Sequence, residues 1–184
     1  RGHQDFAGIK VAVQGLGAVA YGLCKHLAQA GAKLFVTDIN QDAVERVVND
    51  FGATAVGIDE IYDLDVDVYA PCALGATIND ETIVRIKATI IAGCANNQLA
   101  QSRHGEVLRE KGILYAPDYV INAGGIINVY YETAPQGYSE AASNKHVEGI
   151  FDTLTEIFTR SEKEQKSTHL IADELAQEII QNGL

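Results

Sequence analysis

Cysteine is scarce in this sequence of 184 residues, where it occurs only at Cys24, Cys72 and Cys94. An odd and sparse set in a chain of this length argues against a disulfide framework and favours a reducing compartment. A nucleophilic cysteine needs a nearby histidine base, and the sequence alone does not place one. We therefore interpret the three side chains as small apolar groups in the core.

Long apolar runs are also absent. No stretch approaches the roughly 20 apolar residues that span a bilayer, and residues 1–6 lack the apolar segment of a signal peptide. These absences predict a cytoplasmic protein with no membrane partner. Because the first residue is Arg1 rather than methionine, and a strand pattern begins almost at once, we also expect a piece of a longer protein.

Basic residues are few relative to acidic ones. The chain has 14 lysines and arginines against 25 aspartates and glutamates, which gives a formal net charge of −11. An acidic surface repels phosphate backbones, which argues against nucleic acid as a partner. The five histidines and three cysteines show no H-x-x-x-H or C-x-x-C spacing, so the sequence predicts no metal site.

The residues that are present predict an α/β protein. Hydrophobic residues make up 47% of the chain, which is enough for a substantial core. Short apolar runs alternate with segments of helical period, a pattern typical of a parallel sheet covered by helices on both faces. We therefore predict a doubly wound, Rossmann-type fold. The predicted strands cover residues 9–13, 33–37, 53–56, 66–70, 89–92 and 113–115, and the predicted helices cover residues 17–30, 41–51, 79–87 and 105–111.

The C-terminal third has a different pattern. Residues 143–160 and 170–180 each carry apolar side chains along one side of a helix, and the polar residues 161–166 between them predict a loop. The sequence therefore predicts a Rossmann domain over residues 1–140. Additional helices over residues 141–184 would pack on that domain or on a neighbouring one.

The first predicted strand runs into a glycine-rich turn that contains Gly15, Gly17 and Ala20. This spacing fits the dinucleotide-binding pattern G-x-G-x-x-G/A, in which the first glycine allows a tight turn and the second admits a pyrophosphate. The small third residue lets the helix pack against the strand, and the free N–H groups of the helix start attract phosphate oxygens. The motif predicts a dinucleotide site because it follows a strand and opens a helix.

Asp38 ends the second predicted strand, at the position where an acidic residue binds the ribose hydroxyls of a dinucleotide. Its carboxylate would repel the 2′-phosphate of NADP, and residues 39–42 contain no arginine to offset that repulsion. The sequence therefore predicts NAD as the cofactor. The alternative is that Asp38 is the N-cap of the following helix.

At five blocks the sequence resembles the glutamate/leucine/phenylalanine/valine dehydrogenase family, with matching order and spacing over about residues 6–132. Within that family, the blocks resemble those of the leucine-specific members. The blocks are residues 11–20 (VAVQGLGAVA), 37–40 (TDIN), 69–75 (YAPCALG), 93–98 (GCANNQ) and 115–125 (YAPDYVINAGG).

The resemblance implies reversible, NAD-dependent oxidative deamination of an L-amino acid to a 2-oxo acid and ammonia, with hydride passing from the substrate Cα to the nicotinamide. In that family a separate N-terminal domain supplies the catalytic lysine and aspartate, and the enzymes are homo-oligomers. This sequence has no glycine-rich lysine motif. We therefore assign no catalytic residue to it, and we expect the chain alone to bind cofactor without turnover.

The resemblance also implies roles for individual residues. An aliphatic pair at Ile126 and Val129 suits a branched-chain, leucine-like substrate, although phenylalanine, valine and glutamate enzymes of the family remain alternatives. Substrate binding would involve Asn97, Ile126 and Val129. Cofactor binding would involve Gly15, Gly17, Ala18, Val19, Ala20, Asp38, Cys72, Ala73, Leu74 and Asn96.

Simpler interpretations exist for several of these residues. Asn96 and Asn97 fit a turn after the fifth predicted strand, and residues 122–125 fit turn chemistry that leads into a helix. Ile126 and Val129, three residues apart, fit the core face of a helix. At the level of function, a non-catalytic NAD-sensing regulatory module would share the glycine motif but not the later blocks.

Overall fold

The computed structural model describes residues 6–135 and 137–183. Residues 1–5 lie outside the described residues. They include His3 and most of the N-terminal segment that was compared above with a signal peptide. Within the described ranges, the chain forms a six-stranded parallel sheet and seven α-helices. The α/β class predicted from the alternating pattern is therefore confirmed.

The chain enters the sheet in its middle. The strand order is β3-β2-β1-β4-β5-β6, with every neighbouring pair parallel. The connections after β1 and β4 therefore leave in opposite directions, which opens a crevice between the loops at their carboxyl ends. The strands are β1 (Lys10–Gln14), β2 (Lys33–Thr37), β3 (Thr54–Ala55), β4 (Val68–Pro71), β5 (Ile90–Ile91) and β6 (Leu114–Tyr115).

The helices follow the strands and then continue beyond the sheet. They are α1 (Ala18–Gln29), α2 (Gln41–Phe51), α3 (Arg103–Glu110), α4 (Asp118–Ile121), α5 (Gly124–Glu132), α6 (Glu140–Glu164) and α7 (Thr168–Asn182), with a 3-10 turn at Glu60–Asp63. Among the described residues, no helix combines the length with the apolar character that crossing a membrane demands.

The side chains of the sheet alternate between two cores because successive residues of a strand point to opposite faces. In β1, Val11 and Val13 pack with residues of α1 and α2, including the buried Ala20. Ala12 belongs to the second core, which contains Leu108 of α3. Burial on both faces explains why the central strands have nearly continuous apolar sequences.

Helix α2 begins and ends where the sequence predicts. Asn40 is its N-cap, and the side-chain Oδ1 of Asn40 accepts hydrogen bonds from the N–H groups of Asp42 and Ala43 at 3.0 and 3.3 Å. Gly52 ends the helix in the left-handed region, with φ of +67°, where glycine has no Cβ penalty. Local capping chemistry therefore sets both ends of this helix.

Replacing Asn40 with alanine is expected to lower the free energy of unfolding by about 1 kcal/mol, because two N–H groups of the first turn lose their acceptor. Urea unfolding followed by circular dichroism measures this change. Asn49→Ala is the matched control, since Asn49 is exposed within α2 and alanine has the higher helix propensity. Equal destabilisation by both variants would show that the cap contributes nothing.

The helix predicted over residues 79–87 is wrong, because this segment forms consecutive turns. The side chain of Asn79 accepts from the N–H groups of Glu81 and Thr82 at 3.0 and 3.1 Å, as a helix cap would. However, Thr82 Oγ1 accepts from the Asn79 N–H and donates to the Thr77 carbonyl. Ile83 and Ile86 each donate to the carbonyl four residues back, but Arg85 donates to Thr82, three residues back. The segment therefore mixes turn types and does not form a regular helix.

The loop predicted over residues 161–166 is also largely wrong, because α6 continues to Glu164. Arg160 bonds to Glu164 at 3.3 Å, one turn along the helix, and to Glu178 of α7 at 2.9 Å. The helix then ends at Gln165, whose φ of +57° is left-handed. Charged residues that suggest a loop in the sequence here stabilise the helix through ion pairs.

The C-terminal helices pack against the edge of the sheet that ends in β6. Thr168 Oγ1 donates to the Tyr115 carbonyl at 2.7 Å, and the Ser167 N–H donates to Glu106 of α3 at 2.7 Å. Ile171 of α7 is fully buried in a third apolar cluster that also includes residues of α4 and α6. These contacts hold α7 against the β6 edge of the sheet.

Candidate functional site

Two neighbouring cavities open at the carboxyl ends of the strands, where ligands bind in parallel α/β sheets. The smaller cavity has a volume of about 210 Å³, and the larger one has a volume of about 670 Å³. The smaller cavity is lined by Gln14, Gly15, Thr37, Asp38, Ile39, Ile58, Ala73, Leu74 and Thr77. The larger cavity is lined by Val19, Cys94, Asn96, Tyr119, Ile121, Asn122, Ala123, Gly124, Gly125 and Ile126.

The first glycine of the motif joins two loops at the wall of the smaller cavity. Gly15 has φ of +94°, and its N–H donates to the Thr37 carbonyl at 2.8 Å. A Cβ on Gly15 would lie 2.6 Å from the Cβ and 2.7 Å from the backbone of Ala73, on the loop after β4. Only glycine combines this conformation with so close an approach, so Gly15 keeps the loops after β1 and β4 in contact.

The second glycine lies in open space at the start of α1. A Cβ on Gly17 would meet nothing within 4 Å, and its φ of −63° is available to any residue. The first hydrogen bond at the start of α1 runs from the Tyr21 N–H to the Gly17 carbonyl at 2.9 Å, because N–H groups of the first turn have no acceptor within the helix. Open space beside such donors fits a phosphate group.

Asp38 links the end of β2 to the glycine turn. Its Oδ2 accepts a hydrogen bond from the Leu16 N–H at 2.5 Å, and its Oδ1 accepts one from the Asn40 N–H at 2.8 Å. The alternative that Asp38 caps α2 is wrong, since Asn40 is the N-cap. The carboxylate of Asp38 instead orients the turn and lines the smaller cavity.

Gln14, which lines the smaller cavity, belongs to a buried polar network. The Tyr69 hydroxyl donates to Gln14 Oε1 at 2.5 Å, and Gln14 Nε2 donates to the Tyr62 hydroxyl at 2.8 Å. Burial raises the pKa of Tyr69, so its hydroxyl stays protonated and donates. The exposed apolar side chains of Ile39 and Leu74 lie at the rim. Apolar side chains beside a few fixed polar groups suit a small organic ligand.

One wall of the larger cavity consists of asparagine side chains. Asn122 Nδ2 donates to Asn96 Oδ1 and, at 3.4 Å, to the Cys94 carbonyl. The loops after β4 and β5 touch here, since a Cβ on Gly75 would lie 2.9 Å from the carbonyl oxygens of Asn96 and Asn97. These contacts hold neutral amide groups at the mouth of the cavity, where they can bind another polar group.

Comparison with known proteins agrees with this geometry. A family model described as Glutamate/Leucine/Phenylalanine/Valine dehydrogenase matches residues 36–180. This chain belongs to that family. The matched range includes the blocks after β4 that an NAD-sensing regulatory module would not share.

Relatives of this dehydrogenase-family chain carry names that refer to different amino acids. Leucine dehydrogenase from Bacillus cereus is 55% identical over 179 residues, which cover 97% of this chain and 48% of that protein. Phenylalanine dehydrogenase from Caldalkalibacillus thermarum is 42% identical over 175 residues, covering 92% and 47%. The crystal structure of L-tryptophan dehydrogenase from Nostoc punctiforme superimposes with a TM-score of 0.93 at 49% identity, covering 97% of this chain and 54% of that one. The chain spans about half the length of the curated relatives it matches.

Many of the residues that the sequence of this dehydrogenase-family chain predicted to bind cofactor or substrate lie at the two cavities. Gly17 and Ala18 stand at the start of α1, as the motif predicts. The smaller cavity is lined by Gly15, Asp38, Ala73 and Leu74, and the larger one by Val19, Asn96 and Ile126.

Other predicted residues lie away from the linings of both cavities. Ala20 is buried against the sheet, as its packing role requires. Cys72 is half-buried in the same apolar core. Asn97 is exposed in a left-handed turn with φ of +52°, and its carbonyl accepts from the Ala76 N–H at 2.7 Å. Val129 is exposed on α5. For Asn97, the simpler interpretation as a turn residue fits this conformation.

The interpretation of Ile126 and Val129 as core residues of a helix is wrong. They lie on α5, but their exposed fractions are 73% and 53%, whereas Ile127 is buried. A three-residue spacing places two side chains on one side of a helix, but it does not tell which side faces the core. The tertiary packing of the dehydrogenase-family chain leaves this side uncovered.

Sequence reasoning missed several residues at the cavities of this dehydrogenase-family chain. Gln14 carried a signal, because it is a polar residue at the end of an apolar strand directly before the glycine motif. Ile39 and Ile58 carried none, since isolated apolar residues are expected in the core. Among the described residues, no group of three or more His, Cys, Asp or Glu side chains is placed to hold a metal ion.

Proposed function

We propose that this chain is the Rossmann-type NAD-binding half of an amino-acid dehydrogenase. The observation that carries the proposal is the smaller cavity, where the glycine turn and Asp38 meet at the carboxyl ends of β1 and β2. The strand order, with β1 between β2 and β4, supports the proposal, because doubly wound sheets of this order bind dinucleotides at such a crevice.

The residues at this crevice fit the parts of a dinucleotide. The pyrophosphate would accept hydrogen bonds at the glycine turn and the first turn of α1, the ribose hydroxyls would donate to Asp38, and the adenine would contact the rim that includes Leu74. When bound, NAD supplies the hydride acceptor for oxidation of the substrate. The cofactor residues of the proposal are Gly15, Gly17, Ala18, Val19, Ala20, Asp38, Cys72, Ala73, Leu74 and Asn96.

In the proposed function, the nicotinamide end of NAD and the amino-acid substrate bind at the larger cavity. Asn96 would bind the nicotinamide end, and Asn97, Ile126 and Val129 would contact the amino acid. Exposure of Ile126 and Val129 suits side chains that another domain covers, and their aliphatic character suits a branched-chain, leucine-like substrate. The proposed reaction is reversible oxidative deamination to a 2-oxo acid and ammonia.

The proposed enzyme has the domain organisation that the family resemblance implies. Residues 1–140 form the cofactor domain, and residues 141–184 form helices that support it. A separate N-terminal domain supplies the catalytic lysine and aspartate, so this chain alone binds cofactor without turnover. The whole enzyme is a homo-oligomer of the cytoplasm.

A fluorescence titration of the chain with NADH, and with NADPH in parallel, tests the proposal. Saturable binding of NADH with much weaker binding of NADPH is expected, because the Asp38 carboxylate accepts from ribose hydroxyls and repels a 2′-phosphate. Failure of a folded chain to bind either nucleotide would contradict the proposal. Equal affinity for both would contradict the role of Asp38.

Replacing Asp38 with asparagine is expected to weaken NADH binding about tenfold, since a hydrogen bond to a charged group is lost. The same change should narrow the preference for NADH over NADPH. Asp42→Asn is the matched control, because it removes the same charge from an exposed residue of α2 that lines neither cavity. Equal losses in the two variants would mean that only net charge matters.

A further inference from the structure

Two cysteines face each other across neighbouring strands at the carboxyl edge of the sheet. The register pairs Val68 with Ile90 and Tyr69 with Ile91. Beyond these pairs it shifts by one residue, because the Pro71 carbonyl accepts from the Ala95 N–H. Cys72 and Cys94 directly follow Pro71 and Gly93, which are in close contact, and both cysteines pack against the same apolar core.

Close backbone packing keeps the chain segments at the ends of β4 and β5 together beyond the last paired residues of the two strands. A Cβ on Gly93 would lie 2.2 Å from the carbonyl oxygen of Pro71. The Ala95 N–H donates to that same carbonyl at 3.0 Å. The residues before Cys72 and on both sides of Cys94 are therefore fixed against each other, and the two thiols have little freedom to separate.

The side chains of Cys72 and Cys94 are free and hydrogen-bonded to each other. The bond raises the pKa of Cys72 and lowers the pKa of Cys94 to about 7. Cys72 therefore donates, and Cys94, as the acceptor, is the thiol of the pair that ionises more readily. Cys94 lines the larger cavity, whereas Cys72 does not, so a small reagent that enters this cavity meets Cys94 first.

The third cysteine, Cys24, differs from Cys94 in its burial and in its pKa. Cys24 is fully buried in α1, and burial raises its pKa to about 11. Buried thiols of this kind are inert. Cys24 is therefore an internal reference for reactivity in the same chain.

We propose that Cys72 and Cys94 form a redox-active dithiol that hydroperoxides convert to a reversible disulfide. The Cys94 thiolate attacks the terminal oxygen of the hydroperoxide, the O–O bond breaks, and a sulfenic acid forms as an alkoxide leaves, or hydroxide in the case of hydrogen peroxide. Cys72 sulfur then attacks the Cys94 sulfur, the S–O bond breaks, and the Cys72 proton leaves with the hydroxyl as water. Two thiol sulfurs are oxidised, and one peroxide is reduced.

Oxidation would change the wall of the larger cavity. The Cys94 carbonyl accepts a hydrogen bond from Asn122, whose amide also bonds to Asn96. A covalent bond at Cys94 would hold this strand end to β4. The inference concerns the two thiols alone and does not depend on NAD binding.

Treatment of the chain with a small excess of hydrogen peroxide, followed by intact-mass measurement and peptide mapping, tests the proposal. The expected product has lost two hydrogen atoms, carries a bond between Cys72 and Cys94, and returns to the starting mass with dithiothreitol. Products with added oxygen alone, an unchanged mass, or a bond that involves Cys24 would each overturn the proposal.

Three variants sharpen the result. Cys72→Ser should retain a sulfenic acid on Cys94 and form no disulfide, because the resolving thiol is missing. Cys94→Ser should stay unmodified at the same peroxide dose, and Cys24→Ser should behave as the unchanged chain. Loss of two hydrogens in Cys72→Ser would contradict the pairing. Peptide mapping of the unchanged chain decides the question even where a variant does not fold.

Discussion

Replacing Gly93 with alanine is expected to lower the free energy of unfolding by about 3 kcal/mol or more, the upper part of the range for overpacking. A Cβ at this position would lie 2.2 Å from the Pro71 carbonyl oxygen and 2.5 Å from the Pro71 nitrogen. Both atoms belong to the backbone of β4 and cannot rotate away as a side chain would. The strand end must therefore move, which breaks hydrogen bonds of the central sheet.

Urea unfolding measures this loss, with Gly22→Ala as the matched control. Gly22 lies in the interior of α1, where a Cβ would meet nothing within 4 Å. The same substitution there should stabilise the chain by about 0.5–1 kcal/mol, because alanine loses less backbone entropy in a helix. Unchanged stability of Gly93→Ala would show that β4 and β5 are not as close as described.

Replacing Gly17 with alanine is expected to weaken NADH binding about a hundredfold, close to 2.8 kcal/mol, while the chain stays folded. The added Cβ meets no protein atom, so the space that it fills is the space over the first turn of α1. In the proposed function, the pyrophosphate occupies that space. Stability should change by less than about 1 kcal/mol, since Gly17 is the N-cap of α1 and makes no side-chain bond.

Gly15→Ala separates a structural loss from a binding loss. Gly15 has a left-handed φ, and its Cβ would clash with the backbone of Ala73, so this variant should lose stability and NADH binding together. Paired fluorescence titration and urea unfolding of both variants measure the difference. NADH binding by Gly17→Ala at the original affinity would remove Gly17 from the cofactor site.

Local sequence patterns predicted the elements whose ends are set by nearby residues. The bounds of β2 and α2 agree with the prediction, because an apolar run, the Asn40 cap and the left-handed Gly52 act within one turn of each end. Patterns failed at two segments. Residues 79–87 have a helix cap at Asn79 but mix backbone bonds that span three and four residues. Arg160 forms ion pairs with residues of two helices where the sequence suggested that α6 would end.

The sequence also pointed to several residues of the candidate site. The spacing of Gly15 and Gly17 placed a turn with special backbone needs after β1, and a single acidic residue at the end of β2 pointed to Asp38. The structure brings Asp38 and the glycine turn together through the bond to Leu16. The assignment of these residues to NAD stays a prediction until binding is measured.

The sequence by itself determined the alternation of strands and helices, the glycine turn and the acidic residue after β2, because each depends on residues within a few positions of one another. Only the tertiary structure decided that Ala73 touches Gly15, that Cys94 faces Cys72, and that Ile126 is exposed. These contacts join segments far apart in the chain. They depend on the order and pairing of the strands across the sheet. The periodicity of a single segment does not predict which other segments become its neighbours.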